Sequence, residues 1–283
     1  MNHIPALRRK PLGFLGAGLL TVGLLAACGT DLLTIDVMAL GTNPGAATGV
    51  VDMPVNITST FASVSSYLDP TQVPAATAPC PTVSNNITGP DIPDPYVVTV
   101  DYPAGSSCPD GSGGILTGTL TMTVTGLTAG TTTFDPATFN GTVTLGYTDY
   151  AVTSGTATNT FNGDVSLTLD SVTGTASMAT NYYTMHEVNT SPATDVTHTL
   201  SNMNLTVAGF DPVTGAVGGL TGGFRYDNSV LGYVVVDVSL TTPTTACTGL
   251  VGSAGLDAGL VTVGISIPDD GICTPTLSAP GYF

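Results

Sequence analysis

The sequence predicts an all-β protein, built as an antiparallel meander that closes into a β-sandwich or a barrel-like sheet. In several segments apolar residues alternate strictly with polar ones, as in residues 119–124, which read TLTMTV. A sheet with one buried and one solvated face is typical of antiparallel strands. Composition agrees, because the chain has 35 glycines, no tryptophan and only 8% charged residues, which does not favour long helices.

Alternation predicts further strands on both sides of that segment. Valine and leucine occupy every second position in residues 142–145 and 164–169, and residues 98–102 follow the same pattern. Residues 232–240 and 260–267 are apolar enough to be central strands. Residues 69–95 contain seven prolines and are predicted to form a long loop.

The strands also repeat weakly. Similar segments begin at Gly118, Gly141 and Gly163, which are 23 and 22 residues apart. A unit of that length fits a strand with its turn, a hairpin, or one coil of a parallel β-solenoid. Turn-like sequences at residues 153–155 and 173–174 favour a meander over residues 115–240.

The N-terminus carries the pattern of an export signal. Arg8, Arg9 and Lys10 precede an uncharged stretch, residues 12–27, which is too short and wrongly flanked for a stable membrane span. The stretch ends in Leu25-Ala26-Ala27-Cys28, which resembles the lipobox of bacterial lipoproteins. The alternative is a plain secretory signal in which a cysteine happens to follow two alanines.

The lipobox resemblance implies a diacylglycerol on Cys28, cleavage before it, and usually a third acyl chain. Residues 1–27 would then be a cleaved signal peptide, and residues 28–283 a single all-β envelope domain. In that family an aspartate after the cysteine retains the protein in the inner membrane. Gly29 occupies the position here, so the expected location is the outer membrane, with the lipid as the contact to the bilayer.

The charge of the chain argues against nucleic-acid binding. Three of the 4 Lys and Arg residues lie in the first ten residues. The chain after Cys28 therefore has one basic residue, Arg225, and 20 acidic residues, which gives a formal net charge of −19. Phosphate contacts are made by lysine and arginine, and such a surface repels nucleic acid. We expect Arg225 to form a structural ion pair, with Asp227 on the same side of a strand.

The cysteines predict an oxidising compartment. Four remain beside Cys28, and an even number in an exported protein indicates disulfides, with three pairings allowed. We expect neighbours to pair, Cys80 with Cys108 and Cys247 with Cys273. Each bridge would stabilise the fold by about 3–4 kcal/mol on the chain-entropy model. A zinc site is disfavoured because these cysteines have no closely spaced ligand.

No catalytic motif emerges from the sequence. His186-Glu187 begins like the zinc-protease motif, but Thr190 occupies the position of the second histidine. A Gly-x-Ser-x-Gly elbow is absent, and no lysine after position 10 can serve a phosphate loop. Both His186 and His198 are interpreted as ordinary strand residues, so no enzyme activity and no cofactor are predicted.

Three hypotheses for function follow. The first is a non-enzymatic, lipid-anchored envelope protein; the second is a binding module for a sugar, a divalent cation or a partner protein's edge strand; the third is a secreted hydrolase. For the cation, calcium is the candidate, because it takes carboxylate and carbonyl oxygens. The weak candidate ligands are Asp110, Asp227, Asp269 and Asp270. The opposing interpretation is that the acidic residues serve only solubility.

Overall fold

The structure is a computed structural model of the chain. It describes residues 57, 65–68, 80–105, 108–109, 113–135, 137–191, 193–211, 216–230, 232–247, 250–257, 261–278 and 281–282. The signal peptide, the lipobox with Cys28, and Asp110 lie outside the described residues.

The described residues form one antiparallel sheet. Its strands are β1 (Thr82–Asn85), β2 (Tyr96–Tyr102), β3 (Cys108–Pro109), β4 (Ile115–Thr125), β5 (Gly141–Ser154), β6 (Ala157–Asp170), β7 (Thr175–Thr190), β8 (Ala193–Ala208), β9 (Gly219–Asn228), β10 (Gly232–Thr241), β11 (Val251–Asp257), β12 (Val261–Ile267), β13 (Thr276–Leu277) and β14 (Gly281–Tyr282). Their order is β1-β2-β4-β5-β6-β7-β8-β9-β10-β11-β12-β13, while β3 pairs with β4 and β14 with β12. The predicted all-β antiparallel meander is confirmed.

The expected closure of the sheet needs correction. A closed sheet requires hydrogen bonds between its first and last strands. Within the described ranges no ladder joins β1 to the β12 end, and the strands lie in one sheet rather than two. The far edge of β12 is occupied by the two-residue strands β13 and β14, so it offers no long edge for closure.

The core lies on one face of this open sheet. Alternate residues of the strands from β2 to β12 are buried in a single hydrophobic cluster that extends from Tyr96 to Ile265. The described helical residues are Ile57 and those of a short 3-10 helix, Ser65–Leu68, and both Ile57 and Leu68 join this cluster. The described part of the sheet therefore has one apolar, buried face.

A diagonal line of bulges crosses the sheet from β4 to β9. Ladder registers shift between Thr117 and Thr119, between Tyr147 and Tyr150, between Gly163 and Ser166, and between Ser201 and Asn204. We call this the bulge line. Residues with left-handed backbone lie along it: Gly118 (φ 88°), Asp149 (46°), Gly163 (103°), Asn202 (50°) and Gly222 (124°).

Two glycines of the bulge line are required by close approach of neighbouring strands. A Cβ at Gly163 would collide with the carbonyl oxygen of Tyr182, and one at Gly222 with that of Asn204. Glycine in such a strand marks a sharp bend. The bulge line thus divides the long strands into a lower half, which holds residues such as Val143 and Leu205, and an upper half, which holds residues such as Ala151 and His198.

The three similar sequence segments begin at different places in the sheet. Gly118 and Gly163 open two of the three similar segments, and both lie on the line. Gly141 opens the third, but it is the first residue of β5, a strand that runs in the opposite direction. The three segments therefore do not occupy equivalent positions in the sheet, and the solenoid alternative is wrong because every ladder between the described strands is antiparallel.

The predicted cysteine pairs are confirmed. Cys80 pairs with Cys108, with Cα atoms 5.4 Å apart, and Cys247 pairs with Cys273, at 5.7 Å. The first pair joins the chain just before β1 to β3. The second joins the connections that follow β10 and β12, so each pair fastens one end of the meander.

Candidate functional site

The inner face differs in chemistry on the two sides of the bulge line. In the lower half of strands β4 to β9 it is apolar and buried, with Leu145, Leu167 and Leu205 all at 0% exposure. In the upper half it carries rings and polar groups. Five rings, those of Tyr102, Tyr147, Tyr150, Phe161 and Tyr183, contact one another with centroids 5.3–6.3 Å apart.

Burial keeps the tyrosines of this ring cluster neutral. Removal from water raises the pKa of Tyr102, Tyr147 and Tyr183 well above the ordinary value, and neighbouring tyrosines raise it further. Edge-to-face contacts, such as the one between Tyr147 and Tyr183, add packing energy beyond burial alone. The cluster therefore gives the upper half a rigid aromatic wall.

A row of polar side chains crosses the same inner face from β6 to β9. Asn159 lies opposite Glu187 in the ladder between β6 and β7. His198 lies opposite Asn228 in the ladder between β8 and β9, two residues from Tyr226. Since cross-strand partners share a face and every second residue returns to it, these side chains are neighbours. We call Asn159, Glu187, His198, Tyr226 and Asn228 the inner polar row.

His198 is the centre of the inner polar row. Its side chain is 1% exposed, and its Nδ1 lies 2.7 Å from the hydroxyl of Tyr226. Asn228 Nδ2 donates to the same hydroxyl at 3.3 Å. His198 Nε2 lies 3.7 Å from Glu187 Oε2. Burial lowers the pKa of His198 to about 4 and raises that of Glu187, so the imidazole is neutral at neutral pH.

The outer face carries a second polar feature, built around Arg225. Its guanidinium donates two hydrogen bonds to Asp227, at 2.9 and 2.7 Å, and lies 3.8 Å from the ring centroid of Tyr233. The predicted ion pair is confirmed, and Asp227 raises the pKa of Arg225. Beside it lies a shallow depression, which we call the outer depression, lined by Asn202, Asn204, Gly223, Arg225, Val235 and Asp237.

Three of the four carboxylates predicted as weak calcium ligands, those of Asp227, Asp269 and Asp270, have other partners, and the fourth, Asp110, lies outside the described residues. Asp227 holds Arg225. Asp269 accepts hydrogen bonds from the amides and hydroxyls of Thr244 and Thr245, and these donors lower its pKa to about 2. Asp270 accepts from two backbone amides of its own loop. Among the described residues, no three His, Cys, Asp or Glu side chains gather in a metal-binding group.

The two histidines have different surroundings. His186 is exposed, and its Nε2 lies 2.7 Å from Asp195 Oδ1. Neither histidine has a serine hydroxyl among its hydrogen-bond partners in the described part of the chain. The sequence interpretation of both as ordinary strand residues missed the setting of His198. The available signal was its place two residues before Leu200, on the buried side of β8.

No protein-family model matches this chain, and no similar protein is found among curated proteins or among solved structures. Within the described ranges, none of the helical segments has the length and apolarity needed to cross a bilayer.

Proposed function

We propose that this chain is a non-enzymatic lipoprotein of the bacterial cell envelope, anchored in the outer membrane by lipid on Cys28. The observation that carries the proposal is the ordered signal: a basic cluster, an uncharged stretch and Leu25-Ala26-Ala27-Cys28. Two or three acyl chains form a firm anchor, whereas one chain binds a membrane only marginally.

The rest of the chain supports the proposed location. Both remaining cysteine pairs lie at disulfide distance, which fits an oxidising compartment outside the cytoplasm. The outward-facing positions of the strands carry threonine, serine and aspartate, as in β6, where Asp164, Thr168 and Asp170 are exposed. A polar outer surface suits a domain that stands in water beside its membrane anchor.

Metabolic labelling with a clickable palmitate tests the anchor. The wild-type protein should carry the label and co-sediment with outer-membrane vesicles on a density gradient. Cys28→Ala should remove the label and release the protein from the membrane fraction. Cys247→Ser, which leaves Cys28 intact, is the matched control and should stay labelled. Label that persists in Cys28→Ala would disprove the proposal.

A second candidate role is the binding of a neutral sugar at the outer depression. Asn204, Asp237 and Arg225 line it with amide, carboxylate and guanidinium groups, and a few polar groups in a depression are what fixes a ligand's orientation. Exposed Tyr182, at 57%, lies across β8 from Arg225, since both pair with Ser201. By contrast, the short end strands β1 and β13 offer little backbone for addition of a partner's strand.

Glycan-array binding followed by calorimetry tests this role. We expect Asn204→Ala and Asp237→Ala to weaken binding of any retained oligosaccharide at least about 10-fold, a loss of about 1.4 kcal/mol. Asp164→Ala, which alters an exposed aspartate on β6, is the control. Binding that is equal in all three variants would place the sugar elsewhere.

A further inference from the structure

Two buried polar atoms of the inner polar row have no hydrogen-bond partner among the described residues. They are His198 Nε2 and Asn159 Oδ1, in side chains that are only 1% and 8% exposed. Both belong to residues beside Glu187, since Asn159 is its cross-strand partner and His198 Nε2 lies 3.7 Å from its Oε2. Buried polar groups without partners are costly and call for an explanation.

The separation of 3.7 Å between His198 Nε2 and Glu187 Oε2 is informative. It exceeds the length of an ordinary hydrogen bond, which is at most about 3.2 Å. It is also short for a bridging water, because two hydrogen bonds of about 2.8 Å would meet at only about 83°. A metal ion bound to both atoms at about 2.1 Å would subtend an angle of about 120°, which is ordinary for zinc.

The other nitrogen of His198 has the environment of a metal-ligating imidazole. In such residues the ring nitrogen away from the metal donates its N–H to a fixed acceptor, which sets the tautomer. The Tyr226 hydroxyl, 2.7 Å from Nδ1, has two lone pairs, enough to accept from His198 and from Asn228 Nδ2. In that arrangement Nε2 presents its lone pair toward the carboxylate of Glu187.

We propose that His198 Nε2 and the Glu187 carboxylate bind one divalent transition-metal ion, with zinc as the expected metal. The amide oxygen of Asn159 and water complete its coordination. An imidazole nitrogen favours zinc, nickel or copper over calcium, which takes oxygen ligands. Arg225, the one Lys or Arg in the described residues, holds Asp227 on the outer face and does not compete for the site.

This proposal is independent of the lipid anchor and of the outer depression, and its test uses the full-length protein in detergent. After treatment with chelator and dialysis, the protein is titrated with zinc chloride by calorimetry in excess magnesium chloride, which occupies scattered carboxylates. Cobalt chloride serves as a spectroscopic probe. We expect one zinc per chain, a rise in melting temperature, and visible absorption of the bound cobalt.

Three variants complete the test. Glu187→Gln is isosteric and should weaken zinc binding at least about 10-fold without unfolding the domain. His198→Gln should weaken zinc binding to the same extent, and circular dichroism checks that this variant is folded. His186→Gln removes the exposed histidine and should bind zinc like the wild type. Absence of zinc binding, unchanged affinity in Glu187→Gln, or loss in His186→Gln would each overturn the proposal.

Discussion

The lower and upper halves of the same strands differ in the chemistry of their inner face. Below the bulge line the inner face is filled with side chains such as Leu145 and Leu167, which have no polar atoms to satisfy. Above it, the ring cluster and the inner polar row place a buried histidine beside a carboxylate. The contrast shows that a single strand can serve as core along one half and as a chemically specific surface along the other.

The bulge line makes that contrast because it changes which residues face inward. On β7, Ala176 and Met178 are buried below the line, whereas Tyr183 and Glu187 face the inner side above it. The inward set changes from even to odd numbers, as expected where one extra residue enters a strand. β8 runs in the opposite direction, and its inward set also changes from even to odd numbers, from His198 above the line to Leu205 below it.

The largest expected effect on stability comes from shortening a buried side chain in the lower half. Leu167→Ala should reduce the free energy of unfolding by about 3–4 kcal/mol, because a side chain at 0% exposure leaves a cavity. Urea denaturation of the full-length protein in detergent measures it. Val172→Ala, at an 86% exposed position in the next turn, should change stability by less than about 0.5 kcal/mol. Equal effects at both positions would contradict the assigned core.

The next largest effect on stability is expected from a substitution on the bulge line. Gly163→Ala should reduce the free energy of unfolding by about 3 kcal/mol, since φ is 103° and the added Cβ meets the Tyr182 carbonyl. Gly174→Ala is the matched control: its φ is also positive, at 64°, but nothing lies near the added Cβ. It should cost only about 1 kcal/mol. Equal stability of the two variants would contradict the close approach between Gly163 and the Tyr182 carbonyl.

The pH dependence of stability probes the upper half. The pKa of His198 falls from 6.5 to about 4 on folding, so its contribution is full above pH 6.5 and is lost as pH falls toward 4. Between about pH 7 and pH 5 this loss should amount to about 2 kcal/mol. The raised pKa of Glu187 acts in the opposite sense, which reduces the net slope.

His198→Gln should flatten this slope in urea unfolding, and His186→Gln, which alters only an exposed pair, should keep it. A wild-type slope no steeper than that of His198→Gln would show that the imidazole is not desolvated in the folded state.

A smaller effect is expected on the outer face. Arg225→Gln removes the bonds to Asp227 and the contact with Tyr233, and it should lower the melting temperature without abolishing the fold. The pair is partly exposed, so the loss should stay below about 1 kcal/mol. Differential scanning calorimetry measures it, and Asp227→Asn should give a similar loss. An unchanged melting temperature in both variants would mean that the pair does not stabilise the sheet.

The smallest expected effect is that of calcium. The carboxylates of Asp227, Asp269 and Asp270 are already engaged, so about 1 mM calcium chloride should shift the melting temperature no more than sodium chloride of equal ionic strength. A shift that only calcium produces would revive a specific calcium site, with Asp110 as the first residue to mutate.

Local patterns in the sequence predicted the lower half well and the upper half poorly. Alternation in residues 119–124 and 164–169 gave the correct buried faces, because those segments lie on one side of the bulge line. Neighbouring cysteines pair as expected, and Arg225 pairs with Asp227, which lies two residues away on the same side of the strand. Each of these features involves residues of one strand or cysteines that follow one another in the sequence.

The inner polar row could not be predicted in the same way. Glu187 and His198 become neighbours through the ladder of β7 and β8, which runs without a register shift from Thr175 and Ala208 to Thr190 and Ala193. Which residues of these strands face inward depends on the shifts against β6 and β9, and alternation does not reveal their positions. The open sheet of the described strands was not predicted either, because alternation within one strand does not show whether the first and last strands pair. The sequence signals for both features were therefore too local.

The meander also has a consequence for delivery of the chain. From β4 to β12 each strand pairs with the one that precedes it in sequence, and each described cysteine pairs with the next one along. If the chain crosses a membrane starting from its N-terminus, each of these strands and cysteines emerges directly after the one with which it pairs. Thiols oxidised on emergence would therefore join correctly at once, and we expect secretion to proceed normally in cells that lack a disulfide isomerase.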